Sequence, residues 1–508
     1  LSSGAVCRWH DCSAAVSYGP LLHAISSSVD SGKMSNKDLE RVTRTNSIPP
    51  DIWVKEKSAR LRKSAGTQSF ISAYSDASAS ASGDHALPTK LDLSDLTGPG
   101  GSQTSMDKEK KVSQCAADVI CVKSIFWHPF SFLLIFMPMG IWAGLADWSA
   151  GYLFTLNFVA LIPLAKILGD FTEELQAALS NEVISGLVSA TLGNAVEMIV
   201  TIQMLRKGNV EIVKEALIGS VLSNMLLVLG TSFFCGGLSR VRGKRDFLKS
   251  VSEELRAPWL PQDKEQKFQN LGTLVSMTML LVSCMSFALP TVFYYTTRSV
   301  PGHVTMMLRL SRICASIVFS SYLAYLLFAL YTHKQILADD QEEEDDDDDR
   351  MTMSVWLIVV LISSVTLIIT ILSDFLCDSI SGVTASSMTQ SFVGVILLPF
   401  VGNACEHAAA VRFAIQDMPG LAVSIAVGSS TQIALFVVPF AVLAGWAIDV
   451  PMDLGFGAMN TIVMTLSVVI VLTVVTDGRA NWLEGYMLVT AYAIIAVMYW
   501  FLPDMSDI

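Results

Sequence analysis

The stretch SGLVSATLGNAVEMIVTIQML, residues 185–205, decides how this chain is read. It is apolar enough for lipid, yet Asn194 and Glu197 sit near its middle. A carboxylate at mid-membrane costs about 3 kcal/mol on insertion scales, so it is normally kept for a pathway, a relay or a pairing partner. Nearly the same string, GNACEH, returns at residues 402–407 inside a second apolar stretch.

The recurrence is in register. Gly193 and Gly402 are 209 positions apart, and the same interval relates Gly219 to Gly428 and Ser220 to Ser429. Upstream, FTEEL (171–175) resembles SDFLC (373–377), although the segment that follows is longer in the second half. Chance similarity between apolar segments is the competing account, and it does not explain polar residues that match position by position.

The composition sets the class. The 508 residues are 52% hydrophobic and only 16% charged, whereas a soluble domain carries about 25% charged residues. The chain is expected to be an all-α polytopic membrane protein. A spanning helix needs about 20 apolar residues, and eleven stretches qualify as candidates: 126–146, 151–172, 183–205, 213–235, 271–295, 309–331, 353–374, 391–412, 420–444, 456–476 and 484–502. The expected organisation is a Ser-rich cytosolic tail over 1–115, a first span within 116–148, a five-helix repeat over 149–335, an acidic linker over 336–351 and a second five-helix repeat over 352–503. Equivalent spans are five crossings apart, an odd number, so the halves must be inverted. Inverted halves with a site at their interface are a recurring plan in secondary transporters.

The net charge of −12 is concentrated in one run, DDQEEEDDDDD (339–349). The rest of the chain is close to neutral, and no basic excess points to nucleic acid. The run reads first as a solvated linker, with weak cytosolic Ca2+ collection as the alternative. Nine cysteines are scattered singly, unlike a disulfide framework. Cys7 and Cys12 flank His10 in CRWHDC, a weak metal-like cluster read as part of the tail. The tail is rich in Ser, Ala and Gly and is expected to stay disordered. Its segment IWVKEKSARLRK (52–63) reads as a solvated basic patch, with contact to an anionic membrane surface as the alternative. The chain opens on Leu1, so its start says nothing of a targeting signal.

Basic residues orient the spans. KEKK (108–111) and Lys123 precede the first span and place the N-terminus in the cytosol. The loop after the fourth span carries Arg240, Arg242, Lys244, Arg245 and Lys249, which agrees after four crossings. Arg206 and Lys207 fall on the other side, a mild contradiction. The acidic linker is then cytosolic and the C-terminus lumenal.

Asn194 and Glu197 are three apart, so they share a helix face, as do Asn403 and Glu406. Gly193 and Gly402 beside them permit close backbone approach or local unwinding. Brought together, the two segments offer two carboxylates, two amide oxygens and free carbonyls. Hard divalent cations prefer such an all-oxygen set, and Ca2+ accepts about 6–8 ligands at flexible geometry. Two carboxylates in one dry site cannot easily both stay ionised without a cation, so a divalent ion and protons compete for them. That competition is enough to couple the two in an alternating-access cycle. A buried Glu–Asn pair that only locks packing is the alternative, and two copies in register weigh against it.

Other polar residues are secondary candidates. Ser220, Ser223 and Asn224 lie in the fourth span, and Ser429, Thr431 and Gln432 in the ninth. They either add oxygen ligands or bind helix to helix; Ser220, Ser429 and Gln432 are placed in the cation set. His407 points about 100° away from Glu406 around a helix and is assigned to proton coupling, with a packing role as the alternative. Glu173, Glu174 and Asp374 are expected near cytosolic span ends, lining an entrance or simply solvated. Cys405 reads as a small packing residue.

Together these residues resemble the cation/proton exchanger (CAX) family, the Ca2+/H+ antiporters of the wider Ca2+/cation antiporter superfamily. The resemblance covers roughly 120–503. It rests on GNAVE followed by GSVLSNMLLVLG, GNACEHAAAV followed by GSSTQIAL, the FTEEL stretch, and an acidic segment between two halves. It implies eleven spans, with the first outside a ten-helix core of inverted repeats. It also implies that the motif carboxylates, here Glu197 and Glu406, exchange Ca2+ for protons beside Asn194 and Asn403, with His407 as the histidine after the second motif. The related Na+/Ca2+ exchangers carry Ser/Thr–Pro–Glu/Asp patterns that supply hydroxyls for Na+; here Asn-Ala precedes the Glu in both halves, which favours H+ as the counter-ion. The expected protein is a Ca2+/H+ antiporter of an acidic organelle such as the vacuole, with no enzymatic activity and no cofactor beyond the transported ions. Mn2+ or broader divalent exchange, Na+ coupling and a homo-oligomeric assembly stay open.

Overall fold

The computed structural model describes residues 118–503 apart from 120, 128, 180–181, 240–263, 334–352 and 387. The tail over 1–115 with its CRWHDC and IWVKEKSARLRK segments, the basic loop after the fourth span, and the acidic linker lie outside those residues.

In lipid every N–H and C=O must be satisfied within its own segment, so apolar runs become helices. In chain order these are α1 (Phe130–Leu145), α2 (Ala150–Ala178), α3 (Glu182–Leu192), α4 (Ala195–Arg206), α5 (Val210–Leu238), α6 (Leu271–Thr297), α7 (His303–Thr332), α8 (Val355–Ala385), α9 (Gln390–Gly402), α10 (Ala404–Ile415), α11 (Pro419–Ala447), α12 (Ala458–Val475) and α13 (Trp482–Phe501). Eight of these are long and apolar enough to cross a membrane, and α9 with α10 forms a ninth, bent by 62°. The remaining two of the eleven expected spans are α1, which is short, and the opening stretch, which the structure splits at Gly193–Asn194 into α3 and α4. The protein is an integral membrane protein.

A short ribbon marks one face. Gln266–Lys267 (β1) pairs antiparallel with Arg479–Ala480 (β2). β1 leads into α6, whereas α12, its counterpart in the second half, ends just before β2. Equivalent helices therefore run in opposite directions, as an odd number of crossings requires. The end carrying β1 and β2 is called the ribbon face and the opposite end the far face.

α5 and α11 form the centre: 83% and 72% of their apolar windows are buried, against 17% for α7 and 22% for α13. The outer helices turn Ile313, Ile317, Val360, Leu367 and Ile494 outward, as lipid-facing surfaces do. α2 and α8 lie side by side and antiparallel, with Gly382 near the end of α8 pressed against Ala150 at the start of α2. α1 packs on α2 and α8 from outside, using Gly140 and Gly144 to admit Asn157 and Phe375. Small residues at such contacts let backbones approach where lipid supplies no hydrophobic drive. Both central helices widen into a π-helical turn beyond mid-span, at Ser223–Val228 in α5 and Ile433–Val437 in α11. Such turns displace backbone hydrogen bonds and often mark functional sites.

Candidate cation site at the helix breaks

The two motifs break their helices at the same place. Asn194 and Asn403 stand at the N-caps of α4 and α10 without capping them through their side chains, and Glu197 and Glu406 lie in the first turns. The freed N–H groups and helix dipole at an N-terminus favour negative charge there. Gly402 is bare for a reason: a Cβ there would collide with Glu197 Oε1.

The remaining polar groups converge across the halves. Asn194 Nδ2 donates to Gln432 Oε1 at 2.6 Å, and Asn403 Nδ2 donates to the Ser220 carbonyl at 3.1 Å. Asn224 Nδ2 donates both to Glu406 Oε2 at 2.9 Å and to Ser429 Oγ at 2.8 Å. Among the described residues, the buried Oδ1 atoms of Asn224 and Asn403 have no hydrogen-bond donor. Buried amide oxygens are normally satisfied, so these two suit a cation. No group of three or more His, Cys, Asp or Glu forms among the described residues. The candidate site therefore offers two carboxylates and neutral oxygens. A small cavity beside Glu197, walled by Val200, Thr201, Leu217, Leu376 and Pro399, runs from the break along α4.

Glu197, Glu406, Asn194, Asn403, Gly402, Ser220, Ser429 and Gln432 are thus brought together. Gly193 differs from its counterpart: it is exposed and meets only the Ser189 carbonyl of its own helix. Thr431 bonds back to the Val427 carbonyl and reaches toward Ser276 of α6, and Ser223 faces Tyr492. Asn224, outside the placed cation set, is the amide that joins Glu406 to Ser429. Thr231 was not expected at all: its Oγ1 lies 2.8 Å from His407 Nε2. Its counterpart 209 positions on is Phe440, so the repeat gives no sign of it.

One expectation needs correcting. Asp374 does not share an end with Glu173 and Glu174. Glu173 and Glu174 lie near the ribbon-face end of α2, whereas Asp374 lies toward the far-face end of α8, because the two helices are antiparallel. There Lys207 Nζ bridges Asp374 Oδ1 at 2.9 Å and Asp378 Oδ1 at 2.6 Å. The three acidic residues cannot line one entrance.

The profile of the family described as "Sodium/calcium exchanger protein" matches residues 149–331 and 356–501. Vacuolar cation/proton exchanger 5 of Arabidopsis thaliana is 36% identical over 387 residues, covering 75% of this chain and 82% of its own. The Ca(2+)/H(+) antiporter of Synechocystis sp. is 34% identical over 390 residues, covering 74% of this chain and 98% of its own. Among solved structures, native YfkE superposes with a TM-score of 0.59 at 30% identity, covering 73% of this chain and all of that one. The H+/Ca2+ exchanger CAX, at 12% identity and a TM-score of 0.52, shares the fold over 74% of this chain and 88% of its own.

Proposed function

Because this chain belongs to the sodium/calcium exchanger protein family, and is a transporter rather than an enzyme, we propose that it exchanges cytosolic Ca2+ for H+ from an acidic compartment. The relatives named Ca(2+)/H(+) antiporter and vacuolar cation/proton exchanger support this reading and a vacuole-like membrane. The observation that carries it is the meeting of Glu197 and Glu406, from inverted halves, beside the donor-free oxygens of Asn224 and Asn403. This is a hard, all-oxygen environment of the kind Ca2+ takes. Asn194, Gln432, Ser220, Ser429 and the backbone at Gly193 and Gly402 complete the proposed set.

Coupling follows from charge. Without a cation, two carboxylates in a site cut off from water repel each other and are neutralised by protons. Ca2+ binding releases those protons, and proton binding releases Ca2+. His407, next to Glu406, takes part in the proton transfer. The exchange stays tight if the carboxylates meet only one face at a time. The contacts favour such one-sided access. α9 lies on α5, where a Cβ on Gly219 would collide with the Val395 carbonyl. In the other half α3 packs on α2 and the end of α7, leaving Gly428 facing open space. The gap at Gly428 points to the ribbon face, whereas the small cavity along α4 extends toward the far face. The basic residues before the first span and after the fourth support reading the ribbon face as the cytosolic face.

The test is uptake of radioactive Ca2+ into proteoliposomes with an acidic interior. Uptake that collapses when an ionophore dissipates the pH gradient supports the reading. Uptake that survives this but requires internal Na+ moves the protein to Na+ coupling, and Mn2+ uptake without Ca2+ uptake changes the cargo.

A further inference from the structure

α7 carries two arginines whose charge the described residues do not neutralise. Arg309 and Arg312 are three apart, so they are neighbours on the helix surface. Arg309 is exposed, and Ile313 and Ile317, further along the same side, point outward as lipid-facing side chains do. Arg312 turns toward the end of α11, where its guanidinium lies 4.9 Å from the centre of the Trp446 ring. The ring meets a face of the guanidinium and offers no hydrogen-bond acceptor to its edge. Arg312 Nε is buried without an acceptor. Among the described residues, no ion pair includes either arginine. Of the aspartates between α11 and α12, Asp453 pairs with Lys214 at 3.1 Å, and the exposed Asp449 forms no ion pair with either arginine.

Depth decides which anion suits them. α7 has 30 residues, about 45 Å at 1.5 Å per residue, against about 30 Å of hydrocarbon. Divided between its two ends, the excess puts Arg309 and Arg312 about 2 and 6 Å inside the far-face edge of the hydrocarbon. Arginines at that depth extend back to the headgroups and are kept with a partner. Trp446, 54% exposed, marks the same level, as indole rings do at membrane interfaces. The anion present at that level is a lipid phosphate, and a guanidinium binds phosphate oxygens in pairs through its fork of N–H groups. We propose that Arg309, Arg312 and Trp446 form a headgroup site for an anionic phospholipid in the far-face leaflet, with the acyl chains lying along Ile313 and Ile317. Trp446 orients the Arg312 fork, and Arg309 supplies the second charge. The site lies on the outer surface and does not depend on which ions the protein exchanges.

The experiment offers delipidated full-length protein equal amounts of dioleoyl phosphatidylglycerol and dioleoyl phosphatidylcholine, and native mass spectrometry reads which lipid is retained. Thermal midpoints are read in nanodiscs of each lipid. Wild type is expected to retain phosphatidylglycerol preferentially and to melt higher in it. One basic residue beside anionic headgroups contributes about fivefold, so Arg309→Gln should lower the preference about fivefold and Arg309→Gln with Arg312→Gln about thirtyfold. Arg298→Gln, at the exposed turn after α6, should leave it unchanged. Arg309→Gln alters an exposed side chain alone, so the test stands even if the double variant does not fold. Equal retention of the two lipids by wild type overturns the proposal, as does a preference unchanged in Arg309→Gln. A wild type that retains no lipid but self-associates, with the association lost in Arg309→Gln, overturns it too and assigns the face to a second copy of the chain.

Discussion

α3–α4 and α9–α10 carry the same motif at the same register, yet they are held differently. α9 is clamped to α5: Gly219 admits the Val395 backbone, and Ser391 Oγ donates to Glu215 Oε1 at 2.5 Å. α10 is tied to α5 through His407 and Thr231. Among the described residues no clamp of that kind joins α3 to α11, and Gly428, the counterpart of Gly219, is in the open. α4 is fastened at its far end instead, where Lys207 bridges two aspartates of α8; the counterpart of Lys207 is Gln416, which carries no charge to pair. Two near-identical sequences thus occupy two arrangements. On the proposed cycle they are the closed and open forms of one design, and transport consists of exchanging them.

The largest expected effect removes what the halves share. Glu197→Gln and Glu406→Gln each leave one carboxylate to hold the cation, and uptake should fall on the order of a hundredfold or more. If either variant transports normally, the site is not a pair. Next come the glycines that differ. Gly219→Ala forces a Cβ into the Val395 backbone and should destabilise the protein by about 1–3 kcal/mol, read as a lower thermal midpoint. Gly428→Ala meets nothing and should keep wild-type stability, while slowing turnover because α3 must close there. Equal loss of stability in both would erase the asymmetry. The smallest effect concerns Lys207→Gln. A partly exposed ion pair is worth about 1 kcal/mol or less, so the apparent Ca2+ affinity from the ribbon face should weaken by no more than about fivefold as the far face loosens. Burial pulls the Lys207 ammonium down, but its hydrogen bonds to Asp378 and Asp374 outweigh that and hold it above its ordinary range. A raised pKa keeps the clamp's contribution at all pH values below the ordinary lysine range and loses it only as pH rises through the folded value. The Lys207 effect should therefore be constant from mildly acidic to mildly alkaline pH.

The sequence exposed the parts of this architecture that lipid and repetition impose. GNAVE and GNACEH break long apolar runs, and matched polar residues in such runs reveal both the inversion and the pair of carboxylates. Contacts between residues distant in the chain and unmatched in the repeat left no such mark. Thr231 aligns with Phe440, so its link to His407 breaks the symmetry that made the rest visible. Asn224 aligns with Ile433 and could not be told from a residue that merely joins helices. Asp374 was placed on the wrong face although the direction of its helix was legible. It lies 19 residues beyond Val355, about 28 Å along a helix at 1.5 Å per residue, which is nearly the full hydrocarbon thickness.

The most direct test of the central claim is proton release on binding. Purified protein in weakly buffered detergent is mixed with Ca2+ while a pH dye follows the solution. Wild type should release protons as Ca2+ saturates, since the ion displaces them from Glu197 and Glu406. Glu197→Gln and Glu406→Gln should release fewer. Saturating Ca2+ binding with no proton release, or release unchanged in both variants, would contradict competition at the paired carboxylates.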